Sequence, residues 1–188
     1  FYLRGTYKFF MRKNMEDVKV ARRLLRKAIK LDDNLFSAKF GMGYTYTECG
    51  DDNKAMEFYI PVLKKSDNLG EKAIIYNSIG AVYYEKGEVD KSLDYYTQSL
   101  KIREEIADKD GIVQSLNNIG IIFQDKGCYD KALTCFERSY GMGKSTNSTN
   151  PSITNIGNMF RIKGNYNKAL KYFEIRYAAG KRRGFTGV

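Results

Sequence analysis

The sequence predicts an all-α fold, a right-handed α–α superhelix (solenoid) of about five helix–turn–helix units. Three observations predict it. Gly5, Gly43, Gly80, Gly120 and Gly157 recur at steps of 38, 37, 40 and 37 residues. The last three sit in near-copies of one phrase: Tyr76-Asn77-Ser78-Ile79-Gly80, Leu116-Asn117-Asn118-Ile119-Gly120 and Ile153-Thr154-Asn155-Ile156-Gly157. A second phrase follows each at a fixed distance: Gly87-Glu88-Val89-Asp90-Lys91-Ser92-Leu93, Gly127-Cys128-Tyr129-Asp130-Lys131-Ala132-Leu133 and Gly164-Asn165-Tyr166-Asn167-Lys168-Ala169-Leu170. A repeat of this length is one supersecondary unit that buries its apolar face only by stacking. Such an array points to binding rather than chemistry.

Each unit reads as two helices. In the first, Tyr76, Ile79, Gly80 and Tyr83 fall at i, i+3, i+4 and i+7, one helical face. Glycine costs about 1 kcal/mol against alanine inside a helix, so its recurrence predicts a close approach of the paired helix. Gly87, Gly127 and Gly164 stand where a left-handed C-cap residue belongs. The second helix opens with Asp90, Asp130 or Asn167 near its positive end. It then pairs a small residue with an aromatic four residues on, as in Ser92/Tyr96, Ala132/Phe136 and Ala169/Phe173, to form an inward stripe. Gly43-Tyr44-Thr45-Tyr46, Gly50, Ala55 and Tyr59 supply an earlier copy. The first copy has Gly5 in step, a longer inter-helix turn near Lys13-Asn14, and Ala21 and Leu25 in its second helix. The array spans 1–188 as one domain, with units at about 1–35, 36–72, 73–112, 113–149 and 150–188.

These phrases resemble the tetratricopeptide repeat family, whose usual unit is about 34 residues. The excess here lies between units. Leu100 to Gly111 carries apolar residues at Leu100, Ile102/Arg103 and Ile106, so the preceding helix is expected to run on before it turns. Gly141 to Pro151 is instead a polar loop by composition, with Pro151 placed to open the next helix. Extended units of this kind resemble those of kinesin light chains, mitotic-spindle adaptor proteins and many bacterial signalling proteins. Tyr2-Leu3-Arg4-Gly5-Thr6-Tyr7 and Ala28-Ile29-Lys30-Leu31-Asp32-Asp33-Asn34 resemble the opening of arrays in bacterial adenylate/guanylate-cyclase-like proteins and related transcription regulators. No capping helix follows Ala178, and Gly184 to Val188 stands where a further first helix would begin, so the array reads as part of a longer regulatory protein.

Composition narrows the function. The chain has three cysteines (Cys49, Cys128, Cys135) and no histidine, a poor start for a zinc site or a general base. The thiols read as free cysteines of a reducing, cytoplasmic compartment. Gly141-Met142-Gly143-Lys144-Ser145 ends like a phosphate loop but lacks the earlier glycine and a preceding strand. No catalytic residue, metal or cofactor is expected, and no membrane span is visible. The net charge is +10, concentrated at the two ends. A basic end suits nucleic acid or an acidic membrane, but Lys19, Arg22, Arg23, Arg26, Lys27 and Lys30 equally suit the solvated face of a terminal helix. The alternative function is therefore a basic helical-repeat module for nucleic acid.

On each first helix the side away from Tyr76, Ile79, Gly80 and Tyr83 collects Asn77, Ala81 and Tyr84. Later units place Asn117, Asn118, Ile121 and Gln124, then Thr154, Asn155, Asn158 and Arg161, on the corresponding side. The resemblance implies that first helices line a concave groove holding a protein or peptide partner. An asparagine amide both donates and accepts, so it can hold a peptide N–H and C=O together. Asn77, Tyr84, Asn117, Asn118, Gln124, Asn155, Asn158 and Arg161 are thus the expected peptide-binding residues. The plainer reading is that these asparagines bond neighbouring helices. The carboxylate clamp of chaperone-binding relatives is not expected, because Phe40 and Tyr44 stand at its positions. Arg161, with Asn155 and Asn158, still suits an acidic side chain or carboxylate.

Overall fold

The computed structural model describes residues 15–143 and 151–181. The expectations for Gly5, for the turn near Lys13-Asn14 and for Gly184 to Val188 lie outside them. Among the described residues the order is α1 (Met15–Leu31), α2 (Phe36–Glu48), α3 (Asp52–Lys65), α4 (Leu69–Glu85), α5 (Val89–Glu105), α6 (Lys109–Asp125), α7 (Tyr129–Gly143), α8 (Ser152–Ile162) and α9 (Tyr166–Lys181), with no strand. The chain divides into two compact units, Phe1–Ser92 and Leu93–Val188.

In the first unit α2 packs on α1 and α3, and α3 on α4. The α2–α3 crossing is set by Gly43. A Cβ there would lie 2.5 Å from the Tyr59 ring, a distance at which something must shift. The missing side chain makes room for the Tyr59 ring, which is 1% exposed; Ala55 and Met42 are buried in the same unit. Arg22 of α1 is spent on packing. Its Nε donates to Thr45 Oγ1 (3.0 Å) and its Nη2 to the Thr45 carbonyl (2.8 Å), with the guanidinium 3.9 Å over the Tyr46 ring. Asp51 and Asn68 cap α3 and α4 by accepting from the Lys54 and Glu71 amides. Ser92 donates to the Gly80 carbonyl at 2.8 Å.

The second unit repeats the crossing. Cβ atoms at Gly120 and Gly157 would lie 2.5 and 2.6 Å from the rings of Phe136 and Phe173. Ala132, Phe136, Ile156 and Met159 form a sealed cluster, with Leu133, Tyr140, Phe160 and Tyr172 packed around it. The predicted small-and-aromatic stripe is therefore the inner face of the second helices.

Details of the repeat recur in both units. The turn glycines Gly50, Gly87, Gly127 and Gly164 have φ of +72° to +77°, a left-handed conformation that side chains disfavour. A lysine lies over the aromatic eight residues before it in four pairs: Lys54 on Tyr46, Lys91 on Tyr83, Lys131 on Phe123 and Lys168 on Phe160, at 5.2–5.6 Å. The expected extension is present: α5 runs to Glu105, 17 residues against 14 in α3. Ile106 falls in the turn rather than the helix, followed by Ala107 at φ +54°.

One expectation is corrected. Gly141, Met142 and Gly143, read as the start of a polar loop, are the last turn of α7. Gly143 is buried, and that packing outweighs the weak helix propensity of the two glycines. Lys144 to Asn150 lie outside the described residues. Pro151 does precede α8, as expected.

Candidate peptide-binding face

Every residue expected on the polar face lies on a first helix. In the first unit α4 carries Asn77 and Tyr84, both half-buried. The buried arc of α4 is broader than the sequence suggested: Ile75 and Val82, at 0% exposure, join Ile79 and Gly80, while Tyr76 and Tyr83 are only half-buried. In the second unit α6 carries Asn117, Asn118 and Gln124, all half-buried. Helix α8 carries Asn155 and Asn158, half-buried, and Arg161, exposed.

Two of these asparagines meet. Asn155 Nδ2 donates to Asn117 Oδ1 at 2.8 Å, and Ser152 Oγ lies 3.3 Å from the same oxygen. The bond joins α6 to α8, first helices of successive repeats. It does not link equivalent positions, because Asn155 stands one repeat after Asn118 rather than after Asn117. The Asn117 carbonyl is engaged by Asn155, which leaves the two N–H donors of Asn117. Asn155 keeps its carbonyl and one N–H.

The network continues inward. Ser152 Oγ donates to Ser139 Oγ (2.8 Å), which donates to the Val113 carbonyl (3.0 Å), and both serines are fully buried. One repeat earlier Ser115 Oγ donates to Ser99 Oγ at 3.3 Å. Arg103, 3% exposed, enters here: its Nη1 donates to the Gly111 carbonyl (2.6 Å) and to Ser115 Oγ (3.0 Å). Its Nε makes no hydrogen bond among the described residues and lies 3.9 Å from Asp108 Oδ2. Burial lowers the Arg103 pKa, and the Asp108 carboxylate opposes that shift. Gly111 makes the arrangement possible, since a Cβ there would sit 2.0 Å from Asp108 Oδ2 and 2.6 Å from Arg103 Cδ.

Sequence reasoning missed this polar seam. Arg103 stands within an otherwise apolar run, and the serines of each pair lie far apart in sequence. The signal was present: Ser99 and Ser139 stand 40 apart, Ser115 and Ser152 stand 37 apart, both in step with the glycines.

Other chemistry is sparse. Among the described residues no group of His, Cys, Asp and Glu is placed to hold a metal ion, and no helix is long and apolar enough to cross a membrane. Cys49 and Cys128 are exposed free thiols; Cys135 is half-buried, and burial raises its pKa. The first unit has a cleft of about 380 Å³ between Phe36, Pro61 and Val62. Its polar rim is internally paired, Lys39 with Asp33, Lys65 with Asn34 and Ser66 with Glu71.

Residues 71–145 match the family described as Tetratricopeptide repeat. No curated protein matches the sequence. Solved structures match it over most of its length. BtubC (BKLC) from P. vanneervenii is 16% identical, with 95% of this chain and 79% of that chain covered and a TM-score of 0.78. The Rap conjugation gene regulator of plasmid pLS20, solved in complex with the Phr* peptide, is 17% identical, with 96% and 52% covered and a TM-score of 0.78. MamA is 19% identical, with 92% and 94% covered and a TM-score of 0.68. Identities this low speak for the fold alone. With the repeat already legible in the helix crossings, the family match over residues 71–145 and the shared fold support reading this chain as a tetratricopeptide-repeat protein.

Proposed function

We propose that the chain is a non-catalytic interaction scaffold, a regulatory or sensory module of a larger cytoplasmic signalling protein. Its first helices grip an extended peptide or partner segment through their polar face. The observation that carries this reading is the half-occupied amide pair. Asn117 retains donors and Asn155 retains an acceptor, on adjacent helices joined by a 2.8 Å bond. A peptide C=O can accept from Asn117 Nδ2 while its N–H donates to Asn155 Oδ1. The pair together does what a single amide was expected to do. Fixing the two amides to each other reduces the entropy lost on binding.

Gln124, Asn158 and Arg161 then set side-chain preference in the second unit, with Asn118 alongside; Asn77 and Tyr84 do so in the first. Exposed Arg161 favours an acidic side chain or a terminal carboxylate. A solved structure of this fold that holds a peptide, the Rap–Phr* complex, supports the reading by analogy.

The test is a peptide array probed with the protein, followed by Asn117→Ala with Asn118→Ala. Each lost amide forfeits about 0.5–1.5 kcal/mol, so the double variant should bind about tenfold more weakly. Arg161→Ala, at an exposed position, should weaken acidic peptides selectively. Undiminished binding by both variants would contradict the proposal. Retention on RNA with a steep salt dependence, in place of peptide binding, would favour the nucleic-acid reading.

A further inference from the structure

The second unit shows one way to fill a joint between repeats. Arg103 is buried there, and its Nη1 donates to the Gly111 carbonyl at 2.6 Å. In the first unit Ser66 stands at the position of Arg103, 37 residues earlier, and Glu71 at the position of Gly111, 40 residues earlier. These steps match those of the crossing glycines, Gly43 to Gly80 and Gly80 to Gly120. The helix caps keep the same register: Asn68 accepts from the Glu71 amide at 3.0 Å, as Asp108 accepts from the Gly111 amide at 2.9 Å. In the first unit a short hydroxyl thus stands where the second has a guanidinium on a long stem, and a carboxylate stands where the second has bare backbone.

The exchange leaves open space. The cleft of about 380 Å³ is lined by Ser66 and Glu71 themselves, with Phe36, Pro61 and Val62 as its apolar walls. Pro61 lies inside α3, where a proline costs about 3 kcal/mol. Gln98 and Arg138 hold the same position in the next two repeats, so the fold does not require a proline there. A local rule broken in the wall of a cleft points to a role in binding.

Charge names the occupant. Lys39 is paired with Asp33 at 2.7 Å, and Lys65 bonds to Asn34. Glu71 accepts from the neutral Ser66 hydroxyl at 2.5 Å, and Asp67 adds a second, exposed carboxylate to the lining. We propose that this cleft is a docking site for an arginine side chain of a partner's peptide segment. Its guanidinium sits on the Glu71 carboxylate beside Asp67, and its stem lies along Phe36, Pro61 and Val62. The partner supplies from outside what Arg103 supplies from within the chain. The net charge of +10 gives the protein no general attraction for a cation, so recognition rests on the cleft itself. The site lies in the first unit and does not depend on the amide face of the second.

Two fluorescent pentapeptides test it by anisotropy: Gly-Ala-Arg-Ala-Gly, and the same peptide with citrulline, which keeps the shape of arginine but not its charge. The arginine peptide should bind the full chain saturably, and the citrulline peptide at least about tenfold more weakly. Glu71→Gln should weaken the arginine peptide by a similar factor. Ser66→Arg should abolish its binding by filling the cleft from within, with thermal melting to show that the fold persists. Asn117→Ala should leave the binding intact, which separates this site from the amide face. Equal affinity for the two peptides, or undiminished binding by Glu71→Gln, would overturn the proposal. So would free L-arginine binding more tightly than the peptide, since the ligand would then be a small molecule rather than a partner's side chain.

Discussion

Where α3 meets α4, in the first unit, the matching repeat positions are aliphatic: Val62 on α3 and Ile75 on α4, both buried. In the second unit the equivalent positions are Ser99 with Ser115 and Ser139 with Ser152, all buried and hydrogen-bonded in pairs. The adjoining positions are swapped in size as well. Ser66 reaches the long Glu71 side chain at 2.5 Å in the first unit, whereas the long Arg103 reaches over Gly111 in the second. One repeat geometry thus accepts two kinds of joint. The aliphatic joint is held by burial, which has no direction. The polar joint is held by hydrogen bonds, which fix register but tolerate no missing partner. The polar joint continues toward the surface, where Ser152 Oγ lies 3.3 Å from Asn117 Oδ1, the oxygen that accepts from Asn155. The candidate binding face is therefore the outer end of a buried network in the second unit.

The sharpest break of this comparison is to put the polar residue in the aliphatic seam. Ile75→Ser should cost about 3 kcal/mol or more, from a cavity plus a buried hydroxyl without a planned partner. Urea unfolding would measure it. A loss below about 1 kcal/mol would mean the two joints are interchangeable and the contrast carries no energy.

A smaller effect sharpens it. The crossings within repeats should not differ between units, because Gly43 and Gly120 meet Tyr59 and Phe136 at the same 2.5 Å. Gly43→Ala and Gly120→Ala should each cost about 1–3 kcal/mol by overpacking, and the two losses should agree closely. A near-silent substitution at either site would show that the aromatic swings aside, and that the crossings differ after all.

The sequence announced the crossings because they rest on backbone proximity, which only glycine supplies. Gly43, Gly120 and Gly157 each precede their aromatic by 16 residues, and the turn glycines mark the chain reversals just as regularly. The expected amide face was legible in position but not in state. Which atoms of Asn117 and Asn155 are occupied depends on how far α8 slides along α6, and no spacing within one chain segment encodes that. Arg103 was obscured for a different reason. A charged residue in the last turn of a helix ordinarily favours solvent and the negative helix end. Here the absent side chain of Gly111, eight residues on, opens a place for it indoors. Gly143 shows the converse, a glycine kept helical by burial where composition suggested a loop.

The central claim is that Asn117 and Asn155 act as one hydrogen-bonded unit on the polar face of the second unit. A double-mutant cycle on stability tests it without any ligand, using Asn117→Ala, Asn155→Ala and the pair. The structure predicts a coupling of about 0.5–1.5 kcal/mol, because either substitution alone already removes the bond they share. Strictly additive losses would show that the two amides do not meet in solution, and the face proposed to hold a peptide would lose its basis.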